Sequence, residues 1–282
     1  MTTVDSHLHF WDPARANYPW MTDELAPIRR AYGPDDLRPL LAAAGIDRSI
    51  LVQTRSSSAE TAEFLAIAAS EPFVAGVVGW LELTGPDTAE EIAALRALPG
   101  GDRLVGIRHQ VHDEPDPEWL ARSDVRHGIR AVTDAGLVYD LLVRSRELPA
   151  ALDVARSIPD GRFIVDHIAK PAIASGEIEP WASLLRPFRE LENVACKISG
   201  MVTEASWASW QTRDLRPYVD VVLETFGARR VLFGSDWPVC LLAASYERVV
   251  ATARELLESL SESERDAAFG ANAIEVYRLA AP

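Results

Sequence analysis

The sequence predicts an α/β protein built as one (β/α)8 (TIM) barrel domain over residues 1–282. Three observations carry that expectation. Eight short runs rich in Val, Ile and Leu recur along the chain, amphipathic stretches fill the gaps between them, and 282 residues suit a barrel, which commonly runs this long as one unit. Runs such as SILVQT, VAGVVGW and RFIVDH are apolar nearly throughout, the pattern of parallel strands covered on both faces.

The expected strands are Thr3–His7, Ser49–Thr54, Val74–Trp80, Leu104–Gln110, Leu137–Val143, Phe163–His167, Val194–Ser199 and Arg230–Ser235. The first expected helix, Asp35–Ala44, opens on Pro34 and stops at Gly45, as helix ends require. Ala59–Ser70, Asp87–Leu98, Glu118–Ala135 and Glu147–Ser157 follow, then Glu179–Leu191, Leu215–Phe226, Tyr246–Ser259 and Glu262–Leu279. The stretch 12–33, rich in Pro, Tyr and Trp, is expected to be a long first βα loop over the barrel mouth. An open doubly wound sheet is the alternative architecture, but no GxGxxG follows the first strand to support its dinucleotide-binding form.

A net charge of −14 argues against a general nucleic-acid binder, which needs a basic surface for phosphates. Lys170 and Lys197 are the only lysines, so no lysine-rich face is offered to an anionic membrane. No apolar stretch reaches the roughly 18 residues of a membrane span. Cys196 and Cys240, with no CxxC, make no disulfide framework. The start, MTTVDSHLHFWDP, lacks a basic n-region and long apolar run, so a cytoplasmic protein is expected.

Three motifs fall at expected strand ends. In His7-Leu8-His9, residues two apart in an extended chain point the same way, so both imidazoles can converge at the C-terminal end of the first strand. That end is where barrel enzymes place their chemistry. Phe233-Gly234-Ser235-Asp236-Trp237-Pro238 puts a carboxylate just past the last strand, beside the first if the barrel closes; taken alone, such an Asp often only caps a turn. His167, in Asp166-His167-Ile168-Ala169-Lys170-Pro171, ends the sixth strand; Asp166 is expected on the opposite face and is not paired with it.

Together VDSHLHFWDP, GIRHQVHDEPDPEWL, DHIAKP, CKISGMVTEA and FGSDWPVC resemble the amidohydrolase superfamily. They look most like its sugar-lactonase branch of L-fuconolactonase- and L-rhamnonolactonase-like enzymes, related to pyrone-dicarboxylate lactonase. The likeness spans nearly the whole chain and carries site roles onto His7, His9, His167 and Asp236. Many metal-dependent relatives also have a carboxylated lysine after strand four and a histidine after strand five. This chain instead reads Gly106-Ile107-Arg108-His109 and Val138-Tyr139-Asp140, so a two-metal centre is not expected. Because relatives in this branch work without a metal, the resemblance implies that no cofactor is required. The alternative is one divalent metal, zinc by preference, held by His7, His9, His167 and Asp236 or three of them.

The implied reaction is hydrolysis of a small sugar lactone. Asp236 is expected to act as general base. His7, His9 and His167 would orient water and donate to the carbonyl oxygen, with Arg108 as a fixed positive charge. Gln53, Trp80, Tyr139 and Lys197 occupy similar strand ends and are candidate substrate contacts, as are Glu204 and Trp207 after strand seven. Trp11 and Trp20 are candidates for a water-excluding lid. His109 should point away by alternation. A metal-dependent decarboxylase on the same scaffold is the competing enzyme, and a catalytically silent binding barrel the competing class. A homo-oligomer is compatible with the fold, although no motif specifies an interface.

Overall fold

The computed structural model describes residues 1–280. Eight parallel strands lie in sequence order: β1 (Val4–Leu8), β2 (Arg48–Val52), β3 (Val74–Gly79), β4 (Leu104–His109), β5 (Val138–Leu141), β6 (Arg162–Val165), β7 (Val194–Ile198) and β8 (Val231–Phe233). The ring is drawn together just beyond β8. Leu8 bridges Trp237, the His9 amide donates to Trp237 O at 2.7 Å, and the Asp236 amide donates to His7 O at 2.8 Å.

Between the strands run α1 (Pro34–Ala44), α2 (Ser58–Ser70), α3 (Thr88–Arg96), α4 (Ser123–Asp134), α5 (Leu148–Ser157) and α6 (Trp181–Leu185). They are followed by α7 (Met201–Glu204), α8 (Thr212–Phe226), α9 (Tyr246–Leu256), α10 (Glu262–Asp266) and α11 (Asn272–Tyr277). This is the expected (β/α)8 barrel, with three of the expected helices broken. Glu118–Ala135 divides into a 3-10 turn at Trp119–Ala121 and α4, parted by Arg122 in an extended conformation. Glu179–Leu191 gives way to a 3-10 turn at Arg186–Glu190, where Pro187 has no N–H for a helical bond. In Glu262–Leu279 a wider turn at Ala267–Ala271 intervenes, and Gly270 lies so close to the N-terminal chain that a Cβ would sit 2.1 Å from Thr2 O. Among the described residues no helix is long and apolar enough to cross a membrane.

Two apolar layers hold the fold. The outer one packs the helices on the strands' outer faces. The inner one takes residues from every strand, among them Val4, Ile50, Val138, Ile164 and Leu232, and is plugged by Ala273, Tyr277 and Leu279. Side chains two residues above this plug enter the same lumen, so the pairs Gly106/Arg108, Val138/Asp140 and Ala195/Lys197, with Ile164 and Asp166 just past the end of β6, each carry a charge into the upper half. Strand β1 needs an extra device, since Val4 and His7 both face inward yet are three apart. A register slip between Asp5 and Leu8 supplies it.

Candidate active site

Three backbone segments converge at the mouth. Strand β1 brings His7 and His9, and buried Asp5 pins its neighbours: Asp5 Oδ1 accepts from the Ser235 amide at 2.9 Å and the His7 amide at 3.2 Å. Tyr246 of α9 donates to the other oxygen at 3.1 Å. Burial pushes the Asp5 carboxyl up to about 6 against these bonds. Past β8, Asp236 takes a left-handed backbone (φ 58°), which asparagine and aspartate tolerate better than most residues.

The third segment departs from expectation. The strand ends at Val165 rather than His167, and His167, Ile168, Ala169 and Lys170 all have positive φ, from 47° to 60°. Such a left-handed turn costs on the order of 1–2 kcal/mol per L-residue. It also swings His167 in beside Asp166, so the expectation that Asp166 faces away is corrected. Asp166 lies at the centre of the site. His167 Nδ1 is 2.8 Å from Ser199 Oγ, and Gly200 backs the ring closely enough that a Cβ would stand 2.6 Å from Nδ1.

Beneath the histidines is a buried charge network. Arg108 donates to Asp166 Oδ2 at 3.0 Å and to Gln53 O at 2.6 Å. Lys197 Nζ donates to Asp140 Oδ2 at 2.6 Å and lies 2.9 Å from Asp166 Oδ1, an ion pair without hydrogen-bond alignment. His7 stands between the cations, its Nδ1 3.2 Å from Lys197 Nζ and its Nε2 3.1 Å from an Arg108 nitrogen. Burial drives His7 and His167 well below the usual imidazole range, outweighing the pull of Asp166 on the one and Asp236 on the other. Burial would raise Asp166 and Asp236, yet both end below the usual carboxylate range. Lys197 and His7 lower the first, His167 and His9 the second. Near neutral pH, His7 and His167 are thus held uncharged beside ionised Asp166 and Asp236.

Hydrogen-bond accounting shows where a cation fits. His9 Nδ1 donates to Val52 O at 2.8 Å, so in the neutral ring Nε2 keeps its lone pair. That nitrogen lies 3.3 Å from Asp236 Oδ1 and 3.2 Å from His7 Nε2, while His7 Nε2 is 3.8 Å from Asp236 Oδ1. Tetrahedral zinc with bonds of about 2.0–2.1 Å spaces its ligands about 3.3 Å apart, so His7, His9 and Asp236 match one metal with an open position. His167 Nε2, 3.9 Å from Asp236 Oδ1, stands at the edge of this group. A second metal does not fit, because Arg108 and Lys197 fill the space at β4 and β7 with positive charge.

Above the site opens a cavity of about 550 Å³ with His9, Arg108, His167 and Asp236 on its floor. Trp20 and Leu25 from the first loop, Leu142, Val239 and Leu242 form apolar wall, while Gln110, His112, Arg144, Lys170, Glu204 and Trp207 add polar and aromatic groups. Of the expected substrate contacts, Glu204 and Trp207 therefore line the cavity. Gln53 and Lys197 lie below the floor, where they hold Arg108 and His7. Tyr139 and Trp80 need correction. Tyr139 alternates with inward-facing Asp140, so its ring enters the outer layer against Phe163. Trp80 donates to His109 Nδ1 at 3.0 Å outside the cavity, and His109 stacks on Trp119, turned outward as alternation requires. Trp11 is buried behind Trp20, whose indole donates to Thr54 O at 2.9 Å. Asp5, Asp140 and Lys170 were not expected in the site. Only Asp5, two residues before the HxH, had a local signal.

The family pattern described as amidohydrolase matches residues 4–279, between the first strand and the end of the barrel. The chain belongs to the amidohydrolase family. An L-fucono-1,5-lactonase of Burkholderia multivorans is 39% identical over 99% of this chain and 97% of its own length. The crystal structure of an amidohydrolase from Burkholderia multivorans with bound zinc superposes with a TM-score of 0.93 at 38% identity, covering 99% of this chain and 100% of that one. A 2,6-dihydroxybenzoate decarboxylase shares the fold alone, at 16% identity and a TM-score of 0.69 over 98% of each chain.

Proposed function

We propose that this amidohydrolase opens a sugar-acid lactone, an aldonolactone such as L-fuconolactone or L-rhamnonolactone, by adding water across the ring ester. The observation that carries the reading is Asp236, ionised and flanked by His7, His9 and His167 under a cavity large enough for one sugar ring. Similarity to the L-fucono-1,5-lactonase supports the substrate class.

The 3.9 Å between His167 Nε2 and Asp236 Oδ1 exceeds a direct hydrogen bond and suits a bridging water. Asp236 takes a proton from that water as its oxygen bonds to the lactone carbonyl carbon. Negative charge gathers on the carbonyl oxygen, where Arg108 and an imidazole N–H donate to it. Each such donor is worth about 3 kcal/mol in the transition state. When the ring C–O bond breaks, the proton on Asp236 passes to the departing alkoxide, and the new carboxylic acid loses its own proton to solvent. Glu204, Lys170 and Gln110 are placed to bond ring hydroxyls, and Trp20 and Trp207 to cover the apolar face.

The chain's own residues supply every proton transfer in this scheme, so no cofactor is required. One divalent cation at His7, His9 and Asp236 is the alternative, and when bound it would supply a Lewis acid for the carbonyl oxygen. A panel of aldonolactones assayed by proton release, on protein of measured metal content, tests both points. Lactone turnover is expected and should survive verified metal removal. Loss of turnover on chelation, restored by one equivalent of zinc, would establish the metal-dependent form. Carbon dioxide release from aromatic acids without lactone turnover would establish the decarboxylase.

A further inference from the structure

Strands β4, β5 and β6 end side by side, and the segments that leave them form one wall of the cavity, carrying His112, Arg144 and Lys170. That wall is braced. The His112 amide donates to Leu142 O at 3.2 Å, and Arg146 donates to Glu114 O at 2.6 Å, which stitches the β5 loop to the β4 loop. The Arg144 amide donates to buried Glu147 Oε2 at 2.8 Å and so fixes the backbone from which its side chain leaves. The carboxylates of this region are committed elsewhere. Glu147 pairs with Arg146, Asp113 Oδ1 lies 3.3 Å from His112 Nε2, and Glu204 accepts from Lys170 at 2.5 Å. Arg144 lines the cavity, is exposed, and makes no ion pair among the described residues. Burial lowers His112, and Lys170, Arg144 and Arg108 press it the same way, so three positive charges bear on one imidazole of the wall.

We propose that Arg144 anchors a carboxylate subsite in this wall, and that its ligand is the open-chain aldonate left when the lactone ring is cut. The identity of that ligand rests on the lactonase reading. The lactone enters uncharged, whereas the product is an anion formed beside ionised Asp236 in a chain of net charge −14. Like charges repel at the floor, and the field of the whole chain offers an anion no attraction. Ring opening frees C1 from the former ring oxygen, so the carboxylate can swing off the floor while the hydroxyls keep their contacts. Arg108 already faces Asp166, and Lys170 already faces Glu204. Arg144 is therefore the lining cation left to neutralise a new carboxylate, and its planar fork can hold both oxygens at once. The consequence is product inhibition. Aldonate held at Arg144 occupies the cavity that the next lactone needs, so turnover slows as product accumulates.

The test compares two open-chain probes that differ in the carboxylate alone, sodium L-fuconate and the neutral alditol L-fucitol. Their affinities are measured by titration calorimetry on metal-analysed wild type, Arg144→Gln, Arg144→Lys and Arg213→Gln. Wild type should bind L-fuconate about tenfold more tightly than L-fucitol, the order set by one charge-assisted hydrogen bond to an arginine. Added salt should shrink that preference, because Arg144 is exposed to solvent. Arg144→Gln should bring the two probes to within about twofold of each other, and Arg144→Lys, which keeps the charge but not the fork, should fall between. Arg213 is an exposed residue of α8 outside the cavity lining, so Arg213→Gln removes the same net charge and should leave both affinities and turnover unchanged. A wild type that binds the probes equally, or binds neither, overturns the proposal, as does a folded Arg144→Gln that keeps the wild-type preference. Wild type without lactone turnover would instead sink the functional reading, and the comparison of anion with alditol would still decide whether Arg144 holds a carboxylate.

Discussion

Asp236→Asn tests the centre of the proposed mechanism with the least disturbance to the fold. The side chain keeps its size, and asparagine is among the few residues that accept φ 58° readily. Its amide can donate to the His9 Nε2 lone pair 3.3 Å away, so the local hydrogen bond survives. What disappears is the proton acceptor beside His167. Removing a positioned general base costs about 10²–10⁴ in rate, or roughly 3–5 kcal/mol of barrel-top transition-state stabilisation. We expect kcat on L-fucono-1,5-lactone to fall by that factor, with KM changed little and Tm within a few degrees of wild type. The measurements are initial-rate proton release and a thermal melt on the same preparation. A folded variant that retains more than about a third of wild-type kcat would remove Asp236 from the base role.

Gly200→Ala should push the His167 ring, because the new Cβ would fall 2.6 Å from Nδ1 at a backbone φ of 64°. A displacement near 1 Å costs about 10²-fold in rate, so kcat measured well below Tm should drop by that order, and unchanged kcat would argue that His167 is idle. Arg278→Gly, at an exposed helix end with φ 51°, should stabilise the fold by about 1 kcal/mol, seen as a higher Tm; a lower Tm would show that the side chain contributes more than its strain costs. Acid should weaken the fold through His112. Burial, with Lys170, Arg144 and Arg108 nearby, lowers its pKa from 6.5 to about 3. A folded pKa below the unfolded value means that the native state binds fewer protons. The contribution is therefore intact above pH 6.5 and lost as pH falls towards 3, reaching roughly 2 kcal/mol by pH 5. His112→Gln should flatten that part of the stability–pH curve in urea melts, and an unchanged slope would rule His112 out as its source.

Local pattern carried far in this chain. The strands lie where apolar runs met Gly, Pro and polar breaks, because strands covered on both faces must be apolar throughout. His7, His9 and Asp236 were legible because each sits at a strand end with a distinctive neighbour set, and closing the barrel makes the chain's two ends adjacent. Trp80 and Tyr139 were misread for a related reason. A strand-end position says how near a residue is to the mouth, but the face it presents depends on parity, and Tyr139 is one residue out of phase with Asp140. Asp166 was misread differently, since four consecutive left-handed residues break the alternation on which its placement relied.

The sequence by itself determined the barrel, its strand order, the motif-bearing floor of the site and the absence of the usual ligands at the ends of strands four and five. Only the tertiary structure decided how the charges beneath that floor are paired. Arg108, Asp140 and Lys197 come from three different strands, Asp166 from the turn just past β6, and Tyr277 from the last helix. Nothing in a linear pattern specifies which of them meet. Their pairing is set by inward parity and by the depth at which each strand enters the lumen, which only the closed ring defines.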